Sequence, residues 1–256
     1  MKILILYFSG VGATRKVAQH MHTRLSQNYQ ADIFSVESSD IPNINHYDCL
    51  IFGTPTYHAA PAKVIIDYIR AIPPLKKKTP AFVFNTRGLC SLNTNRTLAK
   101  ELLCKNIITI IDKAYRSPAS DGSIIAPFIK RFWMFENNIG KKINKDCATF
   151  LALLKQSHLM GYIPQFQLGS ILNAPNKAAG QFFTLRIHLH KDICSKCCRC
   201  IKHCPHLAFS AGINGYPVFN SKKCENCYRC VHHCPKLALS ISKGKKLKRT
   251  LNTTQM

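Results

Sequence analysis

Acidic side chains are scarce in this chain: twelve Asp and Glu stand against thirty-six Lys and Arg in 256 residues, a formal charge of +24. Chemistry that relies on paired carboxylates has few candidates, and no catalytic triad or acid–base pair can be traced. Long apolar runs are missing too. None approaches the roughly 20 residues of a membrane-spanning helix, so no bilayer span is expected. The opening MKILILYFSG has a signal-like lysine and apolar run, but the run stops after Phe8 in a glycine turn and leads into a helical pattern. It is read as a first strand, not as a leader. Thirteen cysteines would point to a secreted disulfide scaffold in a short chain with a leader; here the expectation is reduced thiols in a cytoplasmic protein. The basic excess raises a second class, a nucleic-acid-binding protein with structural metal. Against that class, the Lys and Arg are dispersed, aromatic residues do not interleave with them, and no reader motif is present.

Eight of the cysteines form a pattern written twice. Residues 194–210, CSKCCRCIKHCPHLAFS, and 224–240, CENCYRCVHHCPKLALS, agree at 10 of 17 positions, which marks an internal duplication. Each copy reads C-x2-C-x2-C-x3-C-P, a run for iron–sulfur clusters in which three thiolates hold one cluster and the fourth reaches the other. Two residues between ligands let the chain curl round a cube, and the proline after the fourth cysteine turns it away. The expected assignment is crossed: Cys194, Cys197, Cys200 and Cys234 on one cluster, Cys224, Cys227, Cys230 and Cys204 on the other. Zinc needs only a pair of C-x2-C hooks, which leaves the third and fourth cysteines of each copy without a purpose. The stretch resembles the two-cluster bacterial ferredoxins over about 50 residues, in all eight ligand cysteines and both prolines. Cys198, at the place Tyr228 takes in the other copy, is read as a bystander. His203 and His233, ahead of each fourth cysteine, and Arg199 and Arg229, between the second and third, are read as solvated groups, the arginines favouring a reduced cluster by their charge.

Ahead of this stretch the chain alternates strand and helix. Residues 2–8 are apolar without alternation, as in a strand buried on both faces. Strands are expected again at Ile33–Val36, Cys49–Phe52, Ala81–Phe84 and Ile107–Ile111, with helices from Thr14 and at Ala62–Ile72, Asn95–Cys104 and Asn137–Gln156. Five strands so placed predict an α/β doubly wound parallel sheet with ligands at the carboxyl ends of the strands. Three loops open there, at 9–14, 53–58 and 85–88, and the first offers a phosphate the N–H groups and positive end of a helix. Through YFSGVGAT and GTPTYHAAP the first half is similar to the flavodoxin family. That resemblance implies FMN, its phosphate on Ser9, Gly10, Gly12, Ala13 and Thr14. Its isoalloxazine is then expected between Thr54, Pro55, Thr56, Tyr57 and His58 on one side and Thr86, Arg87 and Gly88 on the other, with Tyr57 stacking. Val11 and Ala13 stand where the family usually has a hydroxyl residue and an asparagine, which removes two side-chain contacts to the phosphate.

The expected domains are a flavodoxin-like unit at 1–157, a linker at 158–188, a small α+β ferredoxin-type unit at 189–241 and a basic, disordered tail at 242–256. Residues 117–136, with Phe128, Phe132, Trp133, Met134 and Phe135, are too apolar for a free loop. They are expected to pack on the sheet, to cover the flavin, or to dock the cysteine-rich half. As a whole the chain resembles the flavodoxin–ferredoxin fusion proteins, which implies electron transfer between FMN and two clusters and exchange with an external redox protein. The alternative is a flavin-dependent reductase of a small molecule, fed by the clusters. Residues 186–256 carry fourteen Lys and Arg against Asp192 and Glu225, and the cofactors would remove only about six charges. An acidic partner, a ferredoxin or a reductase, is therefore expected to dock through Lys196, Arg199, Lys202, Lys222, Lys223 and Arg229. Anaerobic reconstitution should load two four-iron clusters per chain, replacement of Cys204 or Cys234 should damage the cluster of the opposite copy, and Cys198→Ala should leave the iron content unchanged. Iron analysis at a single cluster per chain, or zinc in place of iron, would overturn the crossed assignment.

Overall fold

The computed structural model describes residues 1–156, 160–172, 187–241 and 247–251. Strand β1 (Lys2–Tyr7), helix α1 (Ala13–Leu25), β2 (Gln30–Ser35), β3 (Cys49–Tyr57), β4 (Ala60–Pro61), α2 (Lys63–Ala71), β5 (Thr79–Arg87), α3 (Thr94–Leu103), β6 (Ile107–Arg116), the one-turn α4 (Gly122–Ile125) and α5 (Ile139–Leu154) follow in order. Five of the strands pair in parallel in the order β2-β1-β3-β5-β6. The winding reverses between β1 and β3, which leaves a crevice outside their carboxyl ends, where sheets of this kind bind ligands. Among the described residues no helix is long and apolar enough to cross a membrane.

Three strands run past their expected ends, β3 to Tyr57, β5 to Arg87 and β6 to Arg116, with Thr54 still paired to Asn85 and Thr86 to Tyr115. Hydrophobicity marks only the apolar part of a strand, so these polar extensions carried no signal. The unexpected β4 pairs antiparallel with β3 across a turn at His58 and Ala59, whose φ angles are 48° and 62°. Two-residue turns of this hand favour glycine and asparagine, and without either the hairpin was hidden. Both sheet faces are dry. Ile3, Ile5, Ile51, Phe82 and Phe84 pack with Val17 and Met21 of α1 and Phe150 of α5. Leu4, Leu6, Leu50, Phe52 and Val83 pack on the other side with Ile65 and Ile69 of α2 and Leu98 of α3. Alternate side chains of one strand thus serve two cores, and the strand reads as an unbroken apolar run.

Part of the expected linker is an ordered strap. The Tyr162 N–H donates to Thr109 O at 2.8 Å and its hydroxyl to Asp112 at 2.6 Å, Arg96 donates to Pro164 O, and the Gln167 N–H to Asn93 Oδ1. These bonds pin the strap to the edge of β6 at Tyr162 and to α3 at residues 164–167, covering part of an edge that would otherwise template another strand. The expectations for 157–159, 173–186, 242–246 and 252–256 lie outside the described residues. Residues 117–136 pack on the sheet and also hold the cysteine-rich half. Phe132 is buried against Gly122, while Ile124 joins an apolar cluster with Ile187, Phe209, Tyr228, Val231 and Leu239.

That half contains β7 (His188–Leu189), a one-turn helix Arg199–Lys202, β8 (Phe209–Ala211), β9 (Pro217–Phe219), a second one-turn helix Arg229–His232 and β10 (Leu239–Ser240). β7 pairs with β10 and β8 with β9, both antiparallel. The duplication is repeated in the backbone: Lys196, Cys198 and Leu207 have positive φ, and so do Asn226, Tyr228 and Leu237 at the matching places.

Arg229 joins the halves. It is 9% exposed, and each of its five N–H donors has a partner. Nε meets Gly10 O at 3.0 Å, Nη1 meets Glu37 Oε1 at 2.7 Å and His203 O at 3.2 Å, and Nη2 meets Ser9 O at 2.8 Å and Glu37 Oε2 at 2.6 Å. This corrects the expectation of a solvated Arg229 and removes it from any external docking face. Arg229→Met would leave Glu37 and two loop carbonyls facing the joint without a donor, a loss of about 3 kcal/mol. The expected readout is a lower denaturant midpoint for the reconstituted protein and faster hydrogen exchange at residues 9–11. Arg199→Met, at the exposed matching position, should change stability by less than about 0.5 kcal/mol.

Candidate functional site

The crevice between β1 and β3 is built on the 9–14 loop. Gly12, with φ 99°, caps α1 in the left-handed region that favours glycine, and its N–H donates to Ser9 Oγ at 3.1 Å. The first turn of α1 holds no acidic residue, so its positive end is uncompensated from within. Thr14 Oγ1 lies 2.7 Å from Thr86 Oγ1, both buried; one hydroxyl donates to the other, which commits only one of their two hydrogens. Thr56 Oγ1 is buried on the crevice wall without a hydrogen-bond partner among the described residues, and a buried hydroxyl in that condition calls for a polar ligand. A Cβ on Gly10 would fall 2.1 Å from Tyr57 Oη, so only glycine lets the loop pass under the phenol. Burial, with Cys227 and Glu225 nearby, pushes the Tyr57 pKa well above its ordinary value and keeps the hydroxyl a donor. Hydroxyls, a helix N-terminus and two facing loops are a donor set that fits the phosphate and ring of FMN.

Of the expected residues, Ser9, Gly10, Ala13, Thr14, Pro55, Thr56, Tyr57, Thr86, Arg87 and Gly88 line this crevice. Gly12 stands behind it as the helix cap. Thr54 turns away: its hydroxyl donates to Pro55 O and accepts from the Ala62 N–H, both at 3.0 Å, which fixes the start of α2. His58 is exposed at the hairpin turn and faces a neighbouring cleft between α2, α3 and the cysteine-rich half. The Arg87 guanidinium bonds to Leu89 O of its own loop. Much of the remaining wall is Ser117 to Asp121, none of them named as a site residue, in the stretch for which covering the flavin was one of three expected places. These residues arrive because the Ser117 N–H continues the β5–β6 ladder by donating to Arg87 O at 2.9 Å. Asp121 brings an acidic charge there, and its Oδ1 accepts from the Gly122 N–H at 2.7 Å. Their only signal was the unusual apolarity of the 117–136 stretch.

The cysteines fall into two groups. Cys194, Cys197, Cys200 and Cys234 line one recess, together with Cys198, whose thiol donates to Lys196 O. Burial pushes the Cys200 thiol up to about 11, and Cys234 and Cys194 add to the rise. Burial likewise raises Cys224, Cys227 (to about 12) and Cys230, and Cys204 adds to the rise at each of these. Thiols that repel one another as anions are close together, and here they cross between the copies. Cys204 Sγ accepts from the Ala208 N–H at 3.3 Å, and Cys234 Sγ from the Ala238 N–H at 3.2 Å. Alternation of left- and right-handed residues aims such N–H groups inward, an anion nest. All thirteen cysteines are free thiols. Among the described residues no three His, Cys, Asp or Glu groups are close enough to hold one metal ion. Thiolates that bind separate irons of a cube stand farther apart than the ligands of a single ion, so this donor set fits a cluster.

Residues 4–103 match the family model described as a flavodoxin domain. Similar solved structures include a flavodoxin from the domain Archaea, 11% identical over 61% of this chain and 100% of that one, with a TM-score of 0.45. Flavodoxin 1 from Bacillus cereus is 15% identical over 59% and 98% of the two chains, with a TM-score of 0.43. The two-electron reduced flavodoxin of Megasphaera elsdenii is 15% identical over 57% and 98%, with a TM-score of 0.43. No curated protein matches the chain. With the family match over residues 4–103, the β2-β1-β3-β5-β6 order and the crevice at its switch point, the N-terminal part of this chain is a flavodoxin-like domain.

Proposed function

We propose that the chain carries electrons between FMN, held in the crevice at the β1/β3 switch point, and two four-iron clusters held by the crossed cysteine sets, and exchanges them with an external carrier. The observation that carries this reading is the joint. The copy containing Cys227 and Cys230 packs directly on the phosphate loop, with Arg229 on the Ser9 and Gly10 carbonyls and the Cys227 carbonyl oxygen 3.5 Å from the position of a Gly10 Cβ. FMN exchanges electrons singly or in pairs and a cubane takes one at a time, so the two together convert between kinds of carrier.

The chain's own residues hold and enclose these groups. The α1 N-terminus and the hydroxyls of Ser9 and Thr14 serve the phosphate end, with Thr86 bonded to Thr14 beside them and Thr56 on the crevice wall. Tyr57 and residues 117–121 close the crevice against water. Burial pushes the His232 pKa down to about 4, so the ring is neutral; its Nε2 donates to Ser120 O at 2.8 Å and its Nδ1 accepts from the Leu251 N–H at 3.2 Å. One side chain thereby ties the crevice wall, the second cysteine copy and the tail together. Burial alone would lower the Arg229 pKa, but the bonds to Glu37 outweigh it and the net shift is upward. A crevice enclosed on these sides favours electron exchange over turnover of a small molecule at the flavin.

Reconstituted full chain should bind one FMN alongside its iron. Gly12→Asp should abolish flavin binding, since φ 99° strains any side chain there and the carboxylate would repel the phosphate. Thr56→Val should weaken flavin binding about fivefold, the value of one modest hydrogen bond. Iron content should stay constant in both variants. Calorimetry showing undiminished FMN affinity in Gly12→Asp would overturn the assigned crevice.

A further inference from the structure

The duplication sets one arginine in two environments. Arg199 follows Cys198, φ 56°, and opens a one-turn helix; Arg229 follows Tyr228, φ 54°, and opens the matching one. The two side chains leave equivalent backbone at equivalent points. Arg229 is buried with all its donors met, whereas the Arg199 side chain is exposed and its guanidinium makes no hydrogen bond or salt bridge with any described residue. Lys196 and Lys202 are exposed as well. The β8–β9 turn borders them: the Lys196 ammonium lies 4.4 Å over the Tyr216 ring, Lys196 Cδ is 3.5 Å from the position of a Gly215 Cβ, and Ile213 stands fully exposed at the tip. An apolar point with a basic rim has the make-up of a protein interface.

We infer that this first-copy face docks a second protein that presents carboxylates beside backbone carbonyls, an acidic one-electron carrier, with Arg199 making to it the contact that Arg229 makes to Glu37, Ser9 and Gly10. The inference rests on the proposed function and narrows the docking side chains to Lys196, Arg199 and Lys202. Lys222 and Lys223 belong to the cleft beside α2 and α3, and Arg229 is inside the joint. The matching face of the second copy is covered by the flavodoxin-like domain, so only the first copy is open to a carrier. A guanidinium with free donors takes a carboxylate bidentately, and the fourteen Lys and Arg against two acids in residues 186–256 steer an acidic protein toward it. One electron passes between carrier and chain in the encounter, and no bond is made or broken.

The test uses the reconstituted full chain and, as probe, a plant-type [2Fe–2S] ferredoxin of negative net charge. Binding is measured by calorimetry at low and high salt, and contacts are mapped by carbodiimide cross-linking. Arg199→Glu combined with Lys202→Glu should weaken binding about tenfold, while Lys77→Glu with Lys78→Glu, exposed on the loop before β5, should change it less than about twofold. Cross-links should fall on Lys196 or Lys202, and salt should weaken binding to the unmodified chain, as screening over about 8 Å requires. Equal losses in the two double variants, cross-links confined to the flavodoxin-like domain, no binding at low salt, or displacement of the probe by an equal charge of duplex DNA would each overturn the docking. Iron and flavin analysis of the same samples separates the two readings: full cofactor content without charge-dependent binding defeats the docking alone, and failure to take up iron defeats the proposed function with it.

Discussion

A guanidinium withdrawn from water must have its donors met, and for Arg229 this happens in one relative position of the two halves. Two of its five bonds go to carbonyls at the end of β1, two to Glu37 just past β2, and one to His203 in the other cysteine copy. Shifting either half leaves a charge buried without its partner, a larger loss than a surface ion pair represents. A second contact works in the same sense. The Lys63 N–H opening α2, a helix with no acidic residue in its own first turn, donates to Glu225 from the cysteine-rich half. In a chain with twelve acids, two of them go to holding the halves together, and both meet groups of positive character.

This constraint gives the crevice its shape. A parallel sheet leaves an open gap at its switch point, and in a lone domain of this kind that gap faces solvent. Here one wall is closed by residues 117–121, which are themselves pinned to His232, and the floor loop lies under Tyr57 and the Cys227 carbonyl. The same contacts that stabilise the joint therefore narrow the crevice and bring one cysteine group against it. The other group, on the far copy, keeps an exposed thiol at Cys197. Two halves of a duplicated motif have acquired opposite surroundings, one internal and one external, without a change in their local backbone.

Much of this was legible in the residues alone. The cysteine spacing, the glycine at the α1 cap and the unbroken apolar strands are consequences of local geometry: a curl of the chain that gathers thiols, a positive φ, a strand buried on both faces. Each involves residues close in sequence, so each leaves a pattern that can be read. Thr54 and His58 were assigned to the crevice because they share a loop with Thr56 and Tyr57. The β3–β4 hairpin, lacking glycine or asparagine at its turn, directs one inward and the other away. For the stretch that holds the wall at 117–121 three places were open, on the sheet, over the crevice or against the cysteine-rich half, because its apolar residues at 128–135 say that it packs and not where.

What the sequence by itself determined is the parallel sheet, the glycine that caps α1 and the two groups into which the repeated cysteines gather. Tertiary structure alone decided that Arg229 is buried while Arg199 is not, which copy meets the crevice, and which face stays open. The physical reason is that a charged side chain reads as solvated unless its partner is known, and the partner here, Glu37, lies 192 residues away. No local pattern records such a pairing, since it exists only once two independently patterned halves have packed against each other.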